Sequence, residues 1–182
     1  VEVVIPFASL TECLADKRAP RDGEFYRVNF SRVQWKVDVE NGSYQKRTDP
    51  STGRPLPEDN WVWAPTGVIN IHYPELWAFV FFADSDRDDN SYTIPADERR
   101  KWELRKVYYA QQIYRDLNGA YCADADTLLE TLREHAPNGF NTGWNAPGLL
   151  IETTSHSFEL SCDAEEAGRR IVLSGNGKVS LV

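Results

Sequence analysis

Hydrophobic and polar residues alternate in short runs along the first half of the chain, and this pattern predicts β-strands. These runs occupy residues 2–7, 24–39, 61–64, 67–72 and 77–82. Asn41-Gly42 is a strong hairpin-turn signal, and the proline- and charge-rich stretch 46–59 predicts a long surface loop. Because residues 24–39 carry aromatic or apolar side chains on both faces, we expect these strands to form a two-layer β-sandwich.

The pattern changes after the acidic run at residues 84–90. Apolar residues then recur at steps of three and four over residues 96–117, which predicts a long helix packed on a sheet rather than in a coiled coil. A second helix is predicted from Asp124 or Asp126 to about His135. Strands are predicted at residues 158–162, 169–174 and 178–182, the last two as a hairpin.

The predicted fold is therefore mainly β with an α+β extension. Residues 1–90 are expected to form a β-sandwich portion. Residues 91–182 are expected to contain a long helix, a shorter helix and a small antiparallel sheet. At 182 residues the chain is long enough to bury a core without disulfides.

Composition and charge narrow the classes of function. The chain has 20 Lys and Arg against 28 Asp and Glu, a net charge of −8, so nucleic acid is not expected as a partner. No apolar run approaches the ~20 residues that a membrane span requires. No G-x-S-x-G, H-E-x-x-H, P-loop or C-x-x-C motif occurs, which favours a non-catalytic role.

Three of the six tryptophans lie in residues 58–82, beside Asn and His. An indole offers a flat apolar face and one N–H donor, so such a cluster suits a ligand that is apolar on its faces and rich in hydroxyls at its edges. A pyranose sugar is such a ligand. The alternative is that the rings fill a sandwich core, which is the commoner outcome for any single ring and the one we expect for Trp77.

The pattern R-x-N-F-x-R occurs in GEFYRVNFSRVQW, and N-W-x-W and P-E-x-W follow in EDNWVWAPTGVINIHYPELWAFVFF. Together with VEVVIPFASL, these segments resemble successive motifs of carbohydrate-binding family 9-like domains over about residues 1–83. The resemblance implies a β-sandwich from a secreted bacterial polysaccharide-degrading protein that binds sugars without chemistry. It also implies an extracytoplasmic location, in the periplasm, at the cell surface or secreted.

The strands that precede the IPF segment in that family are absent here. Half a sandwich leaves an apolar sheet face and strand edges open to water. We therefore expect the helices, a second polypeptide or the missing N-terminal strands to complete it. An interaction or scaffold role, or a role as an accessory part of a glycoside hydrolase, stays an alternative, because paired catalytic carboxylates are defined by their separation in space.

The resemblance implies that aromatic rings clamp the sugar while polar side chains bind its hydroxyls. The candidate ligand-binding residues are Trp61, Trp63, Asn60, Arg27, Arg32 and His72. Arg27 and Arg32 are expected on opposite faces, since an odd number of positions separates them. We also expect Trp61 and Trp63 to face opposite ways, so that only one of them lines the site.

Two further predictions concern metal and cysteine. Asp84, Asp86 and Asp88 have the alternating spacing of a calcium loop, but the glycine and distal glutamate of an EF-hand are missing, so no cofactor is expected and calcium is the weaker alternative. The chain has three cysteines. The export that the resemblance implies permits a disulfide, and Cys122 with Cys162 is the candidate pair.

Overall fold

The chain folds as a β-rich first half followed by an α+β second half. The computed structural model describes residues 3–12, 14, 16–66, 72–84, 92–135 and 144–182. In chain order, the elements in these ranges are α1 (Phe7–Thr11), β1 (Phe25–Val28), β2 (Ser31–Arg32), β3 (Val37–Glu40), β4 (Ser43–Lys46), β5 (Trp61–Val62), a 3₁₀ helix (Pro74–Leu76), β6 (Ala78–Phe81), α2 (Ala96–Asn118), α3 (Ala125–His135), β7 (Leu150–Thr153), β8 (Phe158–Asp163), β9 (Arg170–Ser174) and β10 (Val179–Leu181). The mixed α+β character expected from the sequence is confirmed.

The strands of the first half form three separate antiparallel ladders, β1 with β6, β2 with β5 and β3 with β4. The long run at residues 24–39 is divided among three short strands, so its segments pair with different partners. Asn41 and Gly42, with φ of 51° and 78°, close the β3–β4 hairpin as the sequence predicts. The pairing of these strands does not test how the ladders pack on one another, and the β-sandwich stays a prediction.

Helix α2 begins after Pro95 and carries Asp97 and Glu98 in its first turn, where carboxylates interact favourably with the helix dipole. It ends at Gly119, whose φ of 75° permits the left-handed cap and whose N–H donates to the Arg115 carbonyl at 2.7 Å. The predicted helix over residues 96–117 is confirmed.

Helix α3 is capped by Asp124, whose Oδ1 accepts the Thr127 N–H at 2.8 Å. Hydrogen bonding to Thr127 lowers the pKa of the Asp124 carboxyl below its ordinary value. The buried Gln111 of α2 donates from its amide to the Cys122 carbonyl and accepts the Cys122 N–H at 3.0 Å. This bond pair fixes the connection between the two helices, and the predicted second helix is confirmed.

The second half closes on a four-stranded antiparallel sheet with strand order β10-β9-β8-β7. The predicted β9–β10 hairpin is confirmed, with Leu173 opposite Val179. Strand β7 was not expected from the sequence. It is a four-residue edge strand whose side chains are alternately exposed and half-buried. It therefore lacks the continuous apolar run from which a strand can be predicted.

Helix α2 packs on β8 and β9, which confirms the prediction that it lies on a sheet. The buried apolar side chains of the described residues are Leu76, Leu104, Val107, Ala110, Leu128, Leu132, Phe158, Leu160, Cys162, Ala164, Ile171 and Leu173. All of them except Leu76 belong to the second half. The main core of the described structure is thus built between the helices and the C-terminal sheet, and the β-rich half contributes one buried side chain to it.

The predicted Cys122–Cys162 disulfide is wrong, since both cysteines are free thiols. Three residues after Cys162, the Glu165 N–H donates to Asp97 Oδ1 in the first turn of α2 at 2.7 Å, whereas Cys122 is bonded to Gln111 in the second half of that helix. Gln111 follows Asp97 by fourteen positions in the helix, which corresponds to about 21 Å along the axis. A disulfide requires Cα atoms within about 7 Å, so helix α2 keeps the two thiols apart.

The proposed boundary at residues 90 and 91 falls in 85–91, outside the described residues. On the two sides of that gap the halves are in contact through α2. None of the helices within the described ranges combines the length and the apolar character needed to cross a bilayer.

Candidate functional site

The β2–β5 ladder brings four large side chains to one surface. Arg32 is registered opposite Trp61. Backbone bonds extend the pairing in both directions, from the Trp63 N–H to the Phe30 carbonyl at 2.8 Å and from the Asp59 N–H to the Gln34 carbonyl at 2.8 Å.

Residues paired across an antiparallel ladder project to the same side, and so do residues two positions apart on one strand. Phe30, Arg32, Trp61 and Trp63 therefore share one face, which we call the aromatic platform.

The rings of the platform stay in contact with water. Trp61 is 64% exposed, Trp63 55% and Phe30 51%. The Phe30 and Trp63 rings meet in a T-shaped contact with centroids 5.7 Å apart, which fixes their orientation without covering them. The expectation that Trp61 and Trp63 face opposite ways is wrong, because positions i and i+2 of a strand lie on the same face.

Asn29 holds the platform in register with the rest of the first half. Its side-chain amide donates to the Ala64 carbonyl at 2.8 Å, and its Oδ1 accepts the Ala64 N–H at 3.1 Å. These two bonds extend the pairing by one position beyond Phe30 and Trp63, with the Asn29 side chain in the place of a backbone amide, in the segment between β1 and β2. This pairing places Phe30 directly beside Trp63.

Arg27 lies apart from the platform, at the junction with α2. Its guanidinium carbon sits 3.8 Å from the centroid of the Phe79 ring and 4.6 Å from that of Trp102, and its Nη2 donates to the Glu75 carbonyl. Its Nη1 is buried and has no hydrogen-bond partner among the residues that the structure describes. Burial lowers the pKa of Arg27, while Glu98 and Glu75 raise it. These contacts show that Arg27 packs at the junction with α2 and is not part of the aromatic platform.

Glu75 is the centre of the junction between the two halves. Its carbonyl also accepts the Trp102 Nε1–H at 2.7 Å, and its Oε1 accepts the Tyr109 hydroxyl at 2.7 Å. Burial raises the pKa of Tyr109, and the hydrogen bond to Glu75 raises it further, so this phenol stays protonated. The P-E-x-W motif therefore joins the β-rich half to α2, and its Trp77 is half-buried.

The remaining sequence candidates lie off the platform. Asn60 precedes Trp61 and so projects to the opposite side of the ladder, where its amide donates to Glu58 Oε2 at 2.7 Å. His72 is exposed on the segment that enters the 3₁₀ helix. Of the six candidates, the ladder brings together Trp61, Trp63 and Arg32.

Phe30 was absent from the candidates, although the sequence contained a signal for it. Alternation places Phe30 on the same strand face as Arg32, and that shared face was visible in the R-x-N-F-x-R segment. What the sequence did not show is the partner strand that sets Trp61 and Trp63 opposite these two residues.

Of the three aspartates in the calcium alternative, only Asp84 belongs to the described residues. The Asp84 N–H lies 3.4 Å from Asp22 Oδ1, whereas Asp86 and Asp88 are outside the described residues. In the described ranges no three His, Cys, Asp or Glu side chains are grouped so as to hold a metal ion. Calcium at these aspartates stays the weaker alternative to the expectation that no cofactor is bound.

Comparisons of the chain with models of protein families, with curated proteins and with solved structures found no match.

Proposed function

We propose that this chain is a non-catalytic carbohydrate-binding protein, exported by a bacterium, that binds an oligo- or polysaccharide on the aromatic platform. The observation that carries the proposal is the set of three exposed rings that Trp61, Trp63 and Phe30 present on one face. The apolar faces of a sugar stack on such rings, and the Arg32 guanidinium on the same face offers donors to hydroxyl or acidic groups. The family 9-like motifs support the same function.

The exposed area of the rings sets the scale of binding. A covered indole buries about 150–250 Å², so Trp61 at 64% exposure has on the order of 100–150 Å² available to a ligand. At about 25 cal/mol per Å², a sugar that covers roughly half of this area gains about 1–2 kcal/mol. Each tryptophan is then responsible for about tenfold in affinity. Because the platform is open, we expect dissociation constants from micromolar to millimolar.

Calorimetry against a panel of oligosaccharides tests the proposal. We expect Trp61→Ala and Trp63→Ala each to weaken binding about tenfold with an unchanged circular dichroism spectrum. Tyr44→Ala is the matched control, because Tyr44 is an exposed aromatic residue, at 78%, on the separate β3–β4 ladder. Absence of binding to every saccharide at millimolar concentration, or an equal loss in the Tyr44→Ala variant, would refute the proposal.

A second candidate function is interaction with another polypeptide. Val33, Val37 and Val39 are large apolar residues exposed in the same half of the chain, and Leu76 is the single buried apolar residue described there. A second chain that completes the β-sandwich would cover such residues. Sedimentation velocity separates the two functions: a concentration-independent monomer that binds sugar favours the first, and association without sugar binding favours the second. Release of reducing sugar from a polysaccharide would instead indicate a hydrolase.

A further inference from the structure

Arg32 places one positive charge within the aromatic platform. It is exposed and registered opposite Trp61, and no hydrogen bond or ion pair joins its guanidinium to another described residue. Arg47, which follows the neighbouring β4 strand, contrasts with it, because its Nη2 pairs with Asp38 at 2.8 Å. The donors of Arg32 are therefore available to a ligand that rests on the rings.

The charges along the platform face have a defined order. Successive rungs on this face are Phe30 with Trp63, Arg32 with Trp61, and Gln34 with Asp59. Each step of two residues is about 6.6 Å. Along this face, the Arg32 guanidinium comes after the Phe30–Trp63 pair and before the Asp59 carboxylate. An anionic group stacked over the rings is therefore closer to Arg32 than to Asp59.

From this order we infer that the platform prefers acidic saccharides, in which a sugar carboxylate or sulfate pairs with Arg32 while the sugar ring covers Trp61 and Trp63. This inference rests on the proposed function. A guanidinium binds a carboxylate or sulfate through two parallel N–H donors, a geometry that a neutral hydroxyl does not match. The net charge of −8 repels anionic glycans from the protein as a whole, so their binding depends on this local cation.

Two substitutions on the platform with opposite effects test the inference. The probes are an oligogalacturonate and a neutral xylo-oligosaccharide of equal length, measured by calorimetry at low ionic strength. We expect the wild-type protein to bind the acidic probe about two- to fivefold more tightly than the neutral one, the range for an exposed ion pair. Arg32→Gln removes this preference, because it weakens binding of the acidic probe more than binding of the neutral probe until the two bind equally. Asp59→Asn increases the preference by a similar factor.

Arg54→Gln is the matched control, because it makes the same change in net charge on the loop outside the ladder. We expect it to leave the preference as in the wild type. Raising the salt concentration to a few tenths molar should reduce the preference of the wild type and leave the Arg32→Gln variant unaffected.

The outcomes separate this inference from the proposed function. Equal or tighter binding of the neutral probe by the wild type overturns the inference. An Arg32→Gln variant that still prefers the acidic probe also overturns it. In either case, binding of the neutral probe that depends on Trp61 and Trp63 still supports the proposed function. An Arg54→Gln variant that loses the preference equally assigns it to net charge and overturns the role of Arg32. If neither probe binds, the proposed function fails and the inference fails with it.

Discussion

Replacement of Arg27 distinguishes a packing role from a ligand-binding role for this residue. Its guanidinium lies over the Phe79 and Trp102 rings, which also contact each other, and donates to the Glu75 carbonyl. Its Nη1 is buried without a hydrogen-bond partner among the described residues. Two variants separate these contributions. Arg27→Ala removes the side chain that covers the two rings, whereas Arg27→Met keeps an apolar side chain of similar length there and removes only the charge and its hydrogen bond.

The free energy of unfolding is expected to respond differently to the two changes. Arg27→Met loses a charge-assisted hydrogen bond worth about 1.5–3 kcal/mol and a cation–π contribution of about 1 kcal/mol. It also removes the buried unsatisfied donor, which costs about 1–3 kcal/mol, along with the burial of a charge. These contributions nearly cancel, so we expect a change within about 1 kcal/mol. Arg27→Ala additionally loses the packing of the side chain against the two rings, and we expect it to destabilise the protein by about 2–3 kcal/mol.

Urea denaturation of the whole chain, followed by tryptophan fluorescence, measures both values. Equal destabilisation by the two variants would show that the charge itself holds the junction and would refute the packing argument. Sugar binding provides an independent readout on the same proteins. A folded Arg27→Met variant that no longer binds sugar would place Arg27 in the ligand site.

Two further predictions concern the second half of the chain. Val107 is a fully buried residue of α2, so Val107→Asp should destabilise the helix and sheet by about 3 kcal/mol or more. A folded Val107→Asp protein that loses only sugar binding would contradict this, because α2 would then cover the site. Thiol labelling without reductant should modify Cys122 in the native protein and Cys162 only after denaturation, because burial raises the pKa of the Cys162 thiol. Mass spectrometry that finds the two cysteines oxidised to each other would contradict the free thiols.

The sequence predicted the elements whose causes are local. The steps of three and four over residues 96–117 suffice to form α2, because an apolar stripe of that period defines a helix and Gly119 ends it. Asn41-Gly42 likewise defines its hairpin, because both residues tolerate a positive φ. The packing of α2 on a sheet was also predictable, since its apolar surface is broader than the narrow stripe of a coiled coil.

Tertiary structure alone decided which residues form the candidate site. The R-x-N-F-x-R motif is one run in the sequence, yet the structure places Arg27 at the junction with α2 and Phe30 and Arg32 on the platform. Asn29 separates the two environments by bonding to Ala64, a residue 35 positions away. The Cys122–Cys162 pairing failed for the same reason, because the length of α2 sets the separation of the thiols. The periodicity of a strand shows only on which side of that strand a residue lies. Which distant residue it contacts is determined by the packing of the whole chain.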